Sequence, residues 1–283
     1  MNVRQIKQRA LAVEKTKKIV KAMQVVALTR LRRLESAALH GKVYFEKMKM
    51  LVEEVSQDLG SIYPLLRPRK ERRVIWVAVI GSDKGLCGNF NANIYRGLEA
   101  FLDKNKGVDV KVVALGRKIV SYLRRKYPER LRLALDRIDD KKALNQFLDE
   151  LQHLVVEGFV KGELDGFYIL YSEFKGHILG NIAELEVLPL GNVEGQREIR
   201  PNFLFEPGEE EVVSVVVKEY VASQVNQTLL ESRAAEELSR MMAMKSATDA
   251  SDKMLSVLML SYHKARQANI TREIIEIINA QGA

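Results

Sequence analysis

The sequence has few of the residues that form disulfides and metal centres. Its single cysteine, Cys87, excludes an internal disulfide, and we expect a buried, unreactive thiol there. The four histidines, at positions 40, 153, 177 and 263, are scattered and lack the spacing of a metal site. We therefore expect no bound metal.

Long hydrophobic runs are also absent. The densest apolar clusters, residues 74–80 and 212–217, are far shorter than the roughly 18–20 residues of a membrane-spanning helix. The first residues lack the continuous apolar block of a signal peptide. We therefore expect a soluble chain without direct membrane insertion, on the cytoplasmic side.

Both ends of the chain lack the residues that interrupt helices. The first sixty residues contain no proline, and residues 209–278 contain neither proline nor glycine. Apolar residues recur there at the three- and four-residue spacing of a helix face. At about 1.5 Å per residue these helices would be about 85 and 105 Å long, so they must project from any compact domain. The amino-terminal stripe is Ile6, Val13, Val20, Ala27, Leu34, Phe45, Met48, Val52, Val55, Leu59 and Ile62, and the carboxyl-terminal stripe runs from Val213 to Ala265.

Acidic and aromatic residues are scarce at the amino terminus. Residues 1–33 contain ten Lys or Arg and one acid, Glu14, in a chain of net charge +8. This charge favours an acidic partner and leaves two classes open: a scaffold whose helical hairpin inserts into an assembly, or a nucleic-acid-binding protein. Helices that bind nucleic acid usually interleave aromatic residues with basic ones. Residues 1–40 contain no Phe, Tyr or Trp, so nucleic acid is the weaker alternative.

Between the two ends, short β-rich runs alternate with helical ones. This alternation favours a layered, largely parallel α/β sheet between the two terminal helices, which can wind together as an antiparallel coiled coil. The predicted strands are 74–80, 110–115, 166–172 and 183–190, and the predicted helices are 94–104, 117–126 and 141–160.

Three glycines, Gly81, Gly85 and Gly88, follow the first predicted strand, as in a phosphate-binding loop. A Walker loop requires Gly-Lys-Ser/Thr, whereas Gly85 is followed by Leu86 and Cys87, and the GxGxxG fingerprint is absent as well. No Ser/His/Asp set or carboxylate pair is found by spacing. We therefore expect no catalytic residues and no cofactor.

Three stretches of the sequence, from residues 3, 82 and 261, match the motifs of one family. The stretch VRQIKQRALAVEKTKKIVKAMQVVA from residue 3 matches the pattern I(R/K)xxIxxVxxTxKITKAMxxVA, and so resembles the amino terminus of the γ subunit family of the F-type ATP synthase. Its loop SD(K/R)GLCGxxN is matched by SDKGLCGNFN from residue 82, and its end SYNKARQAxITxExxEI by SYHKARQANITREIIEI from residue 261. His263 replaces the usual Asn, and the last residues depart from the family's Gly-Gly-Ala tail.

The resemblance implies a long antiparallel coiled coil of the terminal helices, residues 1–60 and 207–283, around a central Rossmann-like α/β domain, residues 73–206. It implies a non-catalytic rotor that couples rotation of the membrane c-ring to ATP synthesis or hydrolysis at the β-subunit sites. The implied partners are the α and β subunits of the catalytic hexamer, the ε subunit and the c-subunit ring, at the cytoplasmic face of a bacterial membrane.

The resemblance also assigns contact residues by position. The residues implied to contact the catalytic hexamer are Lys21, Met23, Arg240, Arg266, Gln267, Thr271 and Glu273. Those implied to contact the ring are Phe205 and Glu206.

Overall fold

A computed structural model describes residues 2–59, 72–176, 178–189, 206 and 208–281. The helices are α1 (Val3–Leu59), α2 (Phe90–Lys104), α3 (Arg117–Lys126), α4 (Lys141–Lys161) and α5 (Glu209–Gln281). The strands are β1 (Val74–Ile80), β2 (Asp109–Leu115), β3 (Leu131–Leu135), β4 (Gly166–Lys175) and β5 (Ile178–Leu188). The predicted alternation of strands and helices between two long terminal helices is confirmed.

The five strands form one sheet in the order β3-β2-β1-β4-β5. The first four are parallel, and β5 runs antiparallel to β4, so the sheet is mostly parallel as predicted. Strand β3 was missing from the prediction. It is a short edge strand that includes the exposed Arg132, and an edge position does not require the continuous apolar run of a central strand.

Hydrophobic layers cover both faces of the sheet. Alternate residues of β1 point to opposite sides, so that Trp76 and Ala78 belong to one core and Val77 and Val79 to the other. Helices α4 and α5 pack in the first core, and α2 and α3 pack in the second. Helix α5 is therefore part of the α/β core as well as a partner of α1.

The contacts divide the chain into two compact units, residues 30–239 and residues 1–29 with 240–283. In the first unit, α1 and α5 run antiparallel: Arg30 lies 3.5 Å from Glu237, and the rings of Phe45 and Tyr220 lie 6.1 Å apart. The segment boundaries predicted from the sequence stay a prediction.

In the second unit, Lys17 of α1 forms an ion pair with Asp252 of α5. The buried residues of this part of α1 are Ile6, Ala10 and Ala27, all on the three- and four-residue spacing of a helical seam. The small alanines at two of these positions allow the helices to approach closely. The predicted antiparallel pairing of the terminal helices is confirmed.

Candidate interaction surfaces

The glycine loop between β1 and α2 is closed by its own side chains. Ser82 is fully buried, and its hydroxyl donates to the Lys84 carbonyl at 2.8 Å and accepts from Asn91 Nδ2 at 2.7 Å. The same Asn91 amide donates to Cys87 Sγ at 3.2 Å. Cys87 is buried, as predicted. These polar groups of the loop therefore form hydrogen bonds within the chain itself.

Asp83 joins this loop to two neighbouring segments. Its carboxylate accepts from the backbone amides of Ile138 at 2.9 Å and Asp139 at 3.3 Å, just before α4 begins. Its other oxygen accepts from the Arg117 amide at 3.4 Å, at the first residue of α3. The Asp83 carboxylate therefore links the glycine loop to the start of α3 and to the segment before α4.

Gly116, which follows β2, lies very close to Gly81 at the start of the glycine loop. Its backbone has φ +107°, and a Cβ there would lie 2.8 Å from the carbonyl oxygen of Gly81. The two glycines allow two strand ends to approach each other. Their role is close backbone packing.

Helix α5 lies across the loop that follows β1. Ser239 Oγ donates to the Cys87 carbonyl at 2.6 Å, and the Ser172 amide donates to Ser232 Oγ at 3.5 Å. Ala235 is fully buried among the residues of α2 and α3. Parallel sheets commonly bind ligands beyond the carboxyl ends of their strands, and here α5 lies against that edge.

The last part of α5 has the opposite character, because every residue from 266 to 279 is exposed. Large apolar side chains are among them: Ile270, Ile274, Ile277 and Ile278 are 43–62% exposed. Their spacing of three and four residues places them on one face of the helix. An exposed apolar face of this kind indicates a binding surface.

The whole chain matches a known protein family. The family profile described as ATP synthase matches residues 2–283. The ATP synthase gamma chain of Syntrophus aciditrophicus is 35% identical over 292 residues, which cover 99% of this chain and 98% of that protein. The chain belongs to the ATP synthase gamma chain family.

Solved structures agree with this family assignment. A chain from the central stalk and c-ring of the Tetrahymena thermophila mitochondrial ATP synthase aligns with a TM-score of 0.62 at 25% identity, covering 81% of this chain and 99% of that one. A chain of the Euglena gracilis mitochondrial ATP synthase shares the fold, with a TM-score of 0.69 at 18% identity over 99% of this chain and 93% of that one. The predicted fold class and the predicted stalk subunit of an F-type ATP synthase are confirmed.

Four of the hexamer-contact residues that the resemblance predicts lie together on the exposed end of α5. Arg266, Gln267, Thr271 and Glu273 are all exposed. The Thr271 hydroxyl donates to the Gln267 carbonyl at 3.0 Å, so this donor is already used within the helix. Their contact with the catalytic hexamer stays a prediction.

The other predicted contact residues have more varied surroundings. Lys21 is exposed and Met23 is half-buried beside the seam of α1, whereas Arg240 is only 7% exposed. Glu206 is exposed, and Phe205 lies outside the described residues. Arg240 therefore offers little surface to another subunit without a rearrangement of its side chain. These assignments also stay predictions.

The sequence interpretation missed the exposed isoleucines of the gamma chain. The signal was present: the apolar spacing continues beyond Ala265, the last residue of the predicted seam, to Ile278. The sequence interpretation also missed several exposed apolar residues of α1 that lie outside its predicted seam. They are Leu11, Ile19, Val25, Val26 and Leu28.

Over the described residues, no helix of this gamma chain is apolar for long enough to cross a lipid bilayer. No cluster of His, Cys, Asp or Glu in the same residues has the arrangement of a metal site.

Proposed function

We propose that this chain is the non-catalytic rotating shaft of an F-type ATP synthase, coupling rotation of a c-subunit ring to the nucleotide sites of the β subunits. The observation that carries the proposal is the exposed end of α5, residues 266–279. Four isoleucines on this helix face keep 43–62% of their surface exposed, so they can stabilise an assembly in which other subunits surround the helix.

The non-catalytic role is supported by the glycine loop. The polar groups of Ser82, Asp83 and Asn91 hydrogen-bond within the chain, and α5 lies across the loop. We expect a titration of the purified chain with Mg-ATP to show no saturable heat or fluorescence change. Saturable micromolar binding would contradict this part of the proposal.

The partners follow from the family and from the exposed surfaces. The α and β subunits surround the end of α5 and the basic face of α1, which includes Lys21 and the half-buried Met23. The ring contacts Phe205 and Glu206, and the ε subunit binds beside the ring. The likeness to a chain of the Tetrahymena central stalk and c-ring supports this arrangement. The complex would lie at the cytoplasmic face of a bacterial membrane, and this chain would be a peripheral membrane protein there.

The two long helices suit a shaft that carries torque. Helix α5 continues for 73 residues, and no proline or glycine interrupts residues 209–278. The basic residues of α1 are mostly exposed, and exposed ion pairs contribute only about 0–1 kcal/mol each. Contacts this weak guide the position of the shaft inside the hexamer without locking it.

The site proposal is tested by the double variant Arg266→Ala with Gln267→Leu. Both side chains are exposed, so the thermal midpoint of the isolated chain should stay unchanged. Arg266 has five donors suited to carboxylates, and Gln267 can donate and accept, so their loss should lower ATP synthesis in reconstituted vesicles.

The matched control is Arg96→Ala with Gln146→Leu, which removes the same two groups from exposed positions on the α/β unit. It should assemble and turn over like the wild type. Normal ATP synthesis in a fully assembled Arg266/Gln267 variant would show that this pair is only surface.

A further inference from the structure

Helix α5 is held to the sheet mainly by apolar contacts along residues 213–235. Val221, Val225 and Leu229 are at most 2% exposed in the core that α4 also lines, and Ala235 is fully buried in the other core. Hydrophobic contact is non-directional. It resists separation of the helix from the sheet and exposure of its apolar face, but it defines the exact rotational setting of the helix less sharply than hydrogen bonds do.

Directional contacts are concentrated at the end of the same stretch. Arg233 forms an ion pair with Asp139, which lies just before α4. Ser239 Oγ donates to the Cys87 carbonyl at 2.6 Å, in the glycine loop. Ser239 is 5% exposed, so its hydrogen bond is shielded from water. The ion pair is partly solvated, because the Arg233 and Asp139 side chains are 27% and 50% exposed.

The acceptors of these two contacts are themselves fixed. The backbone amide of Asp139 donates to Asp83 at 3.3 Å, which belongs to the glycine loop. The Asp139 carboxylate also lies 3.9 Å from Lys84 Nζ in that loop. The Cys87 carbonyl is in the same loop, which Ser82 and Asn91 close. Both contacts of α5 therefore end on the glycine loop or on the segment before α4 that is bonded to this loop.

We propose that Arg233 and Ser239, with Asp139 and the Cys87 carbonyl as their acceptors, form a clamp that fixes the rotational setting of α5 on the α/β unit. This inference rests on the proposed function. In a shaft, torque received by the α/β unit must reach α5 without slip. Arg233 and Ser239 are positioning residues for that transfer, since hydrogen bonds weaken steeply when their angle changes.

The test uses the assembled ATP synthase in vesicles, carrying Arg233→Gln together with Ser239→Ala. The readout is the ratio of ATP-driven proton pumping to ATP hydrolysis. We expect this ratio to fall about three- to tenfold, the factor to which the net contribution of one ordinary hydrogen bond corresponds. The single variant Arg233→Lys keeps the ion pair and should retain most of the ratio. The matched control is Arg124→Gln, which removes an Arg–Asp pair of α3 that does not involve α5.

Several outcomes would overturn the clamp. One is a normal pumping ratio in the double variant, including the case in which the variant only lowers the thermal midpoint or the yield of complex. Another is an equal loss in Arg124→Gln. Failure of the wild-type complex to couple hydrolysis to pumping would instead overturn the proposed function. A reduced ratio in the double variant, with Arg233→Lys and Arg124→Gln close to wild type, would support the clamp.

Discussion

Two stretches of the same helix have opposite surroundings. Between residues 213 and 239 of α5, apolar side chains such as Val221 and Leu229 are almost completely buried by the chain itself. Between residues 266 and 279, Ile274 and Ile278 are 51% and 62% exposed. The two stretches share helical periodicity and apolar content, so composition alone does not distinguish them.

The difference shows which part of the molecule each stretch stabilises. Burial of apolar surface contributes roughly 25 cal/mol per Å², so the first stretch contributes to folding of the chain. The isoleucines of the second stretch contribute less to folding, because about half of their surface remains in water. Their contribution is available only to an assembly with other subunits.

Truncation of one residue in each stretch separates these contributions most clearly. Leu229→Ala should lower the free energy of unfolding by about 2–5 kcal/mol, because it opens a cavity in the core shared with α4. Ile274→Ala should change it by less than about 0.5 kcal/mol, because the side chain is half exposed. Urea unfolding of the isolated chains measures both values.

The same pair should reverse its order in the assembled enzyme. Ile274→Ala removes surface that we assign to the subunit interface, so it should weaken retention of the chain in the complex, measured by dissociation during gel filtration. A large loss of chain stability in Ile274→Ala would show that the end of α5 is covered by the chain itself.

Replacement of a tightly packed glycine in the α/β unit should have the next largest effect on stability. Gly116→Ala places a Cβ 2.8 Å from the Gly81 carbonyl, at a residue with φ +107°. We expect a loss of about 1–3 kcal/mol in the free energy of unfolding. The matched control is Gly107→Ala, because a Cβ there meets nothing within 4 Å. Equal unfolding midpoints for the two variants would contradict the close approach of the strand ends.

The long helices were predictable from the sequence because their signal is local and repeated. The spacing of Ile6, Ala27, Phe45 and Met48 follows one face for many turns, and the structure places each of them on the buried or half-buried side. The strands β1 and β2 were predictable because β1 is a continuous apolar run and β2 is apolar from Val112 to Leu115. The edge strand β3 was not, since it pairs with β2 alone and includes the exposed Arg132.

The polar residues of α5 could not be interpreted from sequence. Gln227 and Ser223 lie within the predicted carboxyl-terminal stripe, and their polar side chains interrupt its apolar pattern. They are buried, and they hydrogen-bond within α5, to Glu231 at 3.0 Å and to the Tyr220 carbonyl at 2.8 Å. Periodicity shows that a position is on a face, but it does not show which element covers that face. Because periodicity does not identify a partner, the contact residues at the exposed end of α5 were assigned by the family resemblance.

The smallest effect should come from an exposed group that is held by its own chain, unlike those at the end of α5. Glu99 on α2 accepts hydrogen bonds from Lys126 and Tyr122 of α3, and these bonds lower the pKa of the Glu99 carboxyl below its usual range. A carboxyl whose pKa is lowered in the folded state stabilises the fold above its unfolded pKa, and this contribution is lost as pH falls through the folded pKa. Glu99→Gln should therefore be slightly less stable than wild type near neutral pH, and the difference should close in acid. Urea unfolding at a series of pH values measures it, and Tyr122→Phe, which removes one of the two donors, should show a smaller difference. A difference in the free energy of unfolding between Glu99→Gln and wild type that does not change with pH would mean that the charge of the Glu99 carboxylate does not stabilise the fold.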